Sequence, residues 1–129
     1  MRLLLDTHAL LWAVRKPDGL SATAAALIAD TDNSLAVSPV AAWELGIKAR
    51  LGKLPEALPL LADYSAAMAR LGAAPTPITD ADALLASDLP WGHRDPFDRM
   101  LAAQALNRGL ALVSKDMAFD QVRGIVRLW

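Results

Sequence analysis

Residues 2–16, RLLLDTHALLWAVRK, decide how the chain is to be read. Leu3, Leu4 and Leu5 form a short apolar run that Asp6 stops, which is the mark of a buried strand. Leu10, Leu11, Trp12 and Val14 then recur at helical spacing, and KPDG at 16–19 breaks the helix. A buried strand feeding straight into an apolar helix opens an alternating α/β chain. Asp6 stands at the joint, deep enough that an unpartnered charge there would be costly.

The alternation continues outward from this stretch. Residues 21–30 predict a second helix with Ser21 as its N-cap. SLAVS at 34–38 predicts a second strand, and Pro39 starts a helix that runs to the stop at Gly52. Residues 58–72 predict one amphipathic helix ending at Gly72. Residues 74–78 predict a short strand whose prolines place it at a sheet edge, and 80–87 a further helix. A loop then leads into a helix that begins at Pro96 and stops at Gly109. Residues 110–114 and 124–129 predict two last strands with a short helix between them. The order implies an α/β fold with a mostly parallel sheet and helices on both faces. Ligands in such folds gather at the carboxyl ends of the strands, near the point where strand order reverses.

Bulk composition sets limits. A chain of 129 residues has the length of a single domain, ~100–200 residues, and residues 1–129 are read as one. The hydrophobic fraction is 54%, and the surplus points to a buried partner surface, either a homodimer or a bound protein. No apolar run approaches the ~18 residues of a membrane span. Asp6 cuts the leucine run before a secretory leader can form. The chain has no cysteine, which excludes disulfides and thiolate metal sites, and cytoplasmic residence is the expectation. A net charge of −1 carries no global nucleic-acid signature, so a nucleic acid would need a local basic patch or metal ions.

Four acids fall where the carboxyl-end rule looks. Asp6 ends the first strand and Asp116 follows the fourth, in LVSKD. Glu44 lies on the helix after the second strand. Asp98 lies in the first turn of the helix that enters the fourth. Asp6 and Asp116 each read alternatively as helix caps. Glu44 shares a helical face with Ile47 and Leu51, where an acid is unusual, and it reads alternatively as the partner of Lys48 four residues on. In HRDPFDRML at 93–101, Asp95 fits the N-cap and Pro96 the first helical position. Asp98, with Leu101 and Ala102 one turn on, leans toward the sheet. Four carboxylates above one sheet edge would repel one another, and a divalent cation removes that penalty. Oxygen ligands without cysteine suit a hard ion such as Mg²⁺ or Mn²⁺. Of the two histidines, His8 reads as packed against the fold and His93 as a loop residue.

These stretches together resemble the PIN-domain family, and within it the VapC-like toxins of bacterial toxin–antitoxin modules. The resemblance rests on LLLDTHALLW, SPVAAWELGIKARLGKL, HRDPFDRMLAAQAL and LVSKD, in this order across nearly the whole chain. It implies a three-layer α/β/α fold around a five-stranded parallel sheet. It also implies an acidic pocket of Asp6, Glu44, Asp98 and Asp116 that holds Mg²⁺ or Mn²⁺, with Asp6 and Asp98 the first choices as direct ligands and Glu44 and Asp116 binding directly or through water. Thr7 and Ser114 match hydroxyl positions of that pocket, Ser114 standing where many members carry threonine. Asp95 is an additional acid found in some relatives. The implied activity is hydrolysis of an RNA phosphodiester, with a homodimer and a cognate antitoxin as partners.

Around the acids, Arg99, Lys115 and Lys48 are the candidates for phosphate contact, with Arg50, Lys53 and Arg94 nearby. Trp12, Trp43 and Phe97 read as core, and Trp91 as a residue that could stack on a base. Other classes remain. A haloacid-dehalogenase-like phosphatase also opens on an apolar strand ending in aspartate, but needs a second aspartate two residues on, where His8 stands. A phospho-receiver module needs an acidic pair after the first strand, and only Asp6 is there. A catalytically silent PIN-fold interaction module is the third alternative.

Overall fold

Every strand of the sheet is short and runs the same way, so the carboxyl ends of all of them open on one edge. The computed structural model describes residues 1–129. Strand β1 is Arg2–Leu5, β2 Ser34–Val37, β3 Ala73–Pro75, β4 Ala111–Val113 and β5 Arg127–Leu128, in the order β3-β2-β1-β4-β5. All four pairings are parallel. Strand order therefore reverses between β1 and β4, where the chain leaves one half of the sheet for the other. Asp6 and Asp116 follow those two strands.

The helices are α1 Thr7–Arg15, α2 Ala22–Ala29, α3 Pro39–Arg50, α4 Leu58–Ala62, α5 Tyr64–Leu71, α6 Asp80–Asp88 and α7 Pro96–Arg108. They cover both faces of the sheet. Side chains alternate along β1, so Leu3 and Leu5 face one layer and Leu4 the other. Leu3 and Leu5 pack with Leu10, Leu45, Leu60 and Met68 from α1, α3, α4 and α5. Leu4 packs with Leu101, Ala105, Leu112 and Phe119 on the α7 side. The three leucines of β1, Leu3 to Leu5, are fully buried, as a central parallel strand requires.

Two details differ from the sequence reading. Residues 58–72 form two helices, because Asp63 leaves helical backbone and its amide closes a tight turn onto the Leu60 carbonyl at 3.2 Å. Leu60, Ala67 and Met68 remain in register with a single helix, and that spacing conceals the break. The last strand is confined to Arg127–Leu128, following Gly124 at a positive φ of 93°. At the far edge, β3 is the edge strand its prolines implied, though it runs Ala73–Pro75 and stops short of the expected residue 78. No helix is long and apolar enough to cross a membrane.

Candidate metal centre

The four acids Asp6, Glu44, Asp98 and Asp116 are delivered by separate elements, and capping aims two of them, Asp6 and Asp116. Asp6 caps α1, its Oδ1 accepting from the Ala9 amide at 2.7 Å, and it is only 8% exposed. Thr7, the next residue, turns its hydroxyl across to α3 and donates to Glu44 Oε1 at 2.6 Å. The second oxygen of Glu44 pairs with Lys48 one turn along the helix. Glu44 is 4% exposed while Lys48 is half-buried, so the carboxylate is buried and its partner reaches the surface. Asp116 follows β4 and caps a short 3₁₀ turn, Met117–Gln121, through the Ala118 amide. Ser114, fully buried, accepts from the Asp116 amide at 3.0 Å and so fixes the turn that presents it.

The two aspartates at the start of α7 have different tasks. Asp95 is the N-cap, its Oδ1 accepting from the amides of Phe97 at 2.9 Å and Asp98 at 3.3 Å. Asp98 is free of capping duty, and its Oδ2 lies 2.6 Å from His93 Nε2. All five acids open onto one cavity of about 230 Å³, shared with Thr7, Lys48 and both histidines. No hydrophobic residue lines it. A larger cavity of about 480 Å³, between α3 and α5, is mainly apolar and holds none of these acids.

Charge is undercompensated in the acidic cavity, where five carboxylates meet one lysine. Burial pushes the Asp6 carboxyl above its ordinary 3.8, and Glu44 adds to this, while the Ser114 hydroxyl and the Ala9 amide oppose it. Burial also pushes Asp98 up to about 6 despite its hydrogen bond to His93, with Asp95 and Glu44 contributing. Groups in this condition favour protonation or a cation. The donor set is rich in carboxylate oxygen and lacks sulfur, which fits a hard divalent ion. A ring nitrogen of His93 and carboxylate oxygens of Asp98 and Asp116 lie within 4.8 Å of one another. Asp6 and Glu44 face the same cavity outside that closest group.

Several residues are placed otherwise than the sequence suggests. Arg99 is unavailable to phosphate, because its guanidinium donates to the carbonyls of Ala86, Leu89, Trp91 and His93. Trp91 is buried against Phe119 and His93, not exposed for stacking. Trp43 is 62% exposed, with its edge on Phe97, and is not core. Trp12 and Phe97 are half-buried. His8 is exposed and tilted on Trp12 at 5.6 Å rather than packed into the fold. Lys115 does stand at the site: its ammonium lies 5.9 Å from the Trp12 ring centre, beside Asp6 and Asp116. His93 is the residue that sequence reasoning missed. It lies two positions before the N-cap, and the turn of the cap folds such a residue back over the third helical position, here Asp98.

The chain matches the PIN domain family over residues 3–125. It is 33% identical over 116 residues to Ribonuclease VapC22 of Mycobacterium tuberculosis, a match that covers 88% of this chain and 85% of that protein. Among solved structures, VapBC2 from Rickettsia felis bound to a DNA fragment from their promoter matches with a TM-score of 0.69 at 14% identity. That likeness covers 99% of this chain and 98% of the other.

Proposed function

The chain belongs to the PIN domain family, and on that premise we propose that it is a metal-dependent endoribonuclease, the toxin of a toxin–antitoxin pair. One observation carries the reading: Asp6, Glu44, Asp98 and Asp116 come from four separate elements and open onto one cavity lined by no hydrophobic residue. The relative named as a ribonuclease, and the VapBC2 likeness, support the activity and the partner.

A Mg²⁺ or Mn²⁺ ion held there would polarise the scissile phosphate, acidify a bound water and shield the departing oxygen. The protein's part is to fix the acids. Asp6 is held by the Ala9 amide, and Glu44 by Thr7 on one oxygen and Lys48 on the other. Asp98, raised to about 6, keeps a proton in mildly acidic solution and must release it to serve as a ligand. Lys115 supplies a free ammonium at the rim, where a phosphate of the RNA strand would lie. Beside it the Trp12 ring adjoins His8 and Trp129, a row of rings against which a base could rest.

Partner surfaces are supported by large apolar side chains left in solvent, among them Trp43, Leu51, Leu84 and Met117. We assign these to the antitoxin and to a second copy of the chain.

The test is cleavage of RNA by the purified protein, freed of antitoxin, with Mg²⁺ or Mn²⁺ and then with excess EDTA. Activity should require the ion. Because the nucleophile is water, an RNA carrying a 2′-deoxy sugar at the cut should still be cleaved, and no 2′,3′-cyclic phosphate should form. Undiminished cleavage in EDTA, or a cyclic phosphate product, would overturn the proposal.

A further inference from the structure

We propose that His93 is itself a ligand of this metal centre, its one nitrogen donor, and that it favours Mn²⁺ over Mg²⁺. The inference rests on the metal-nuclease reading and adds to it a residue and a preference among ions.

Three observations support it. The first is position. Octahedral ions bind oxygen at ~2.1 Å, which places neighbouring donors ~3.0 Å apart and opposite donors ~4.2 Å apart. The donors of His93, Asp98 and Asp116 fall within 4.8 Å of one another, with His93 Nε2 2.6 Å from Asp98 Oδ2. Bound to one ion, the three donors would draw together to these spacings.

The second is how the loop is built. Arg99 donates to Ala86 O, Leu89 O and Trp91 O at 2.8 Å each and to His93 O at 3.0 Å. One guanidinium thus fixes four carbonyls of the segment that ends at His93. The imidazole is then seated on Trp91, with ring centres 4.7 Å apart. Starting α7 needs none of this, since Asp95 caps the helix alone. The loop so held buries Leu89 and Trp91 in the core and brings the His93 imidazole to the cavity.

The third is donor chemistry. Mg²⁺ is bound almost wholly through oxygen and gains little from imidazole. A first-row transition ion accepts nitrogen more readily. Mn²⁺ takes the carboxylates as Mg²⁺ does and the imidazole as well.

His8 and His93 are the only histidines, so the ligand can be identified directly. The experiment is pulsed electron paramagnetic resonance on the Mn²⁺-loaded full chain, reading ¹⁴N modulation from coordinated imidazole. Wild type and His8→Gln should show it, and His93→Gln should lose it. Binding titrations should show His93→Gln weakening Mn²⁺ by more than the ~10–100-fold that follows loss of a ligand's hydrogen-bond partner, with a much smaller change for Mg²⁺. Circular dichroism checks that the variant is folded. Bound Mn²⁺ without ¹⁴N modulation in wild type would overturn the proposal and leave the nuclease reading intact, since His93 would then only orient Asp98. Modulation that survives in His93→Gln would also overturn it. Failure of the wild type to bind Mn²⁺ at all would overturn the metal reading and this inference together.

Discussion

Asp98→Asn should stabilise the metal-free protein while destroying its activity. The Asp98 carboxyl is pushed from its ordinary 3.8 up to about 6, mainly by burial and further by Asp95 and Glu44. The folded chain therefore keeps this proton to a higher pH than the unfolded chain. Between about pH 4 and pH 6 the folded state binds more protons, so raising the pH costs stability. The penalty is absent below about 4 and complete above about 6. The displacement corresponds to about 3 kcal/mol. Its side chain is 20% exposed, and solvent screening reduces the figure to about 1–2 kcal/mol. Asparagine keeps an oxygen for the His93 bond and carries no charge. In EDTA at about pH 7.5 the variant should melt ~3–8 °C higher than wild type, and the gap should close as the pH falls toward 4. Saturating Mn²⁺ should reverse the order, because only wild type gains the full stabilisation of ligand binding. Thermal melts of both proteins across pH, with and without metal, provide the check. A variant less stable than wild type in EDTA at neutral pH, or a gap that widens on acidification, would refute the reasoning.

Other outcomes follow from the same contacts. Asp95→Asn should cost only a few tenths of a kcal/mol, because asparagine caps as well as aspartate, and urea unfolding will show it. Activity should fall modestly in that variant and vanish in Asp98→Asn; equal losses would mean the two acids are wrongly divided. Arg99→Lys keeps the charge but cannot fork to four carbonyls, so unfolding should become easier by about 2–4 kcal/mol, with kcat falling more than KM rises. A selective rise in KM would restore Arg99 as a phosphate contact. Lys115→Ala should raise KM for RNA several-fold and flatten its salt dependence, leaving the melting temperature within about 2 °C.

The sheet is legible because its strands are fully buried and its turns are marked. Leu3–Leu5, Pro39, Gly72 and Gly109 each stand at a boundary that local chemistry dictates. Asp6 and Asp116 could be placed because strand ends converge in a parallel sheet, and the helical period put Glu44 on the wrong face for a surface acid. Periodicity does not distinguish one helix from two in register, hence the missed break at Asp63. Side-chain partners are harder still. Arg99 looks like a free cation in sequence, and only the path of the 86–93 loop shows that carbonyls surround it. Trp91 and Trp43 exchange the expected burial for the same reason, since an aromatic in a loop or on a helix takes its environment from distant elements. His93 has no partner within a helical turn in the sequence, and reaches Asp98 only because the cap at Asp95 folds the chain back.

The central claim is that Asp6, Glu44, Asp98 and Asp116 act together as one metal-holding set that cuts RNA. Single-turnover cleavage of one RNA substrate by wild type and by Asp6→Asn, Glu44→Gln, Asp98→Asn and Asp116→Asn tests it most directly, each variant checked for folding by circular dichroism. We expect every folded variant to lose at least about a hundredfold in rate, roughly 2.7 kcal/mol of transition-state stabilisation. A folded Asp6→Asn or Asp98→Asn that cuts RNA at the wild-type rate would contradict it.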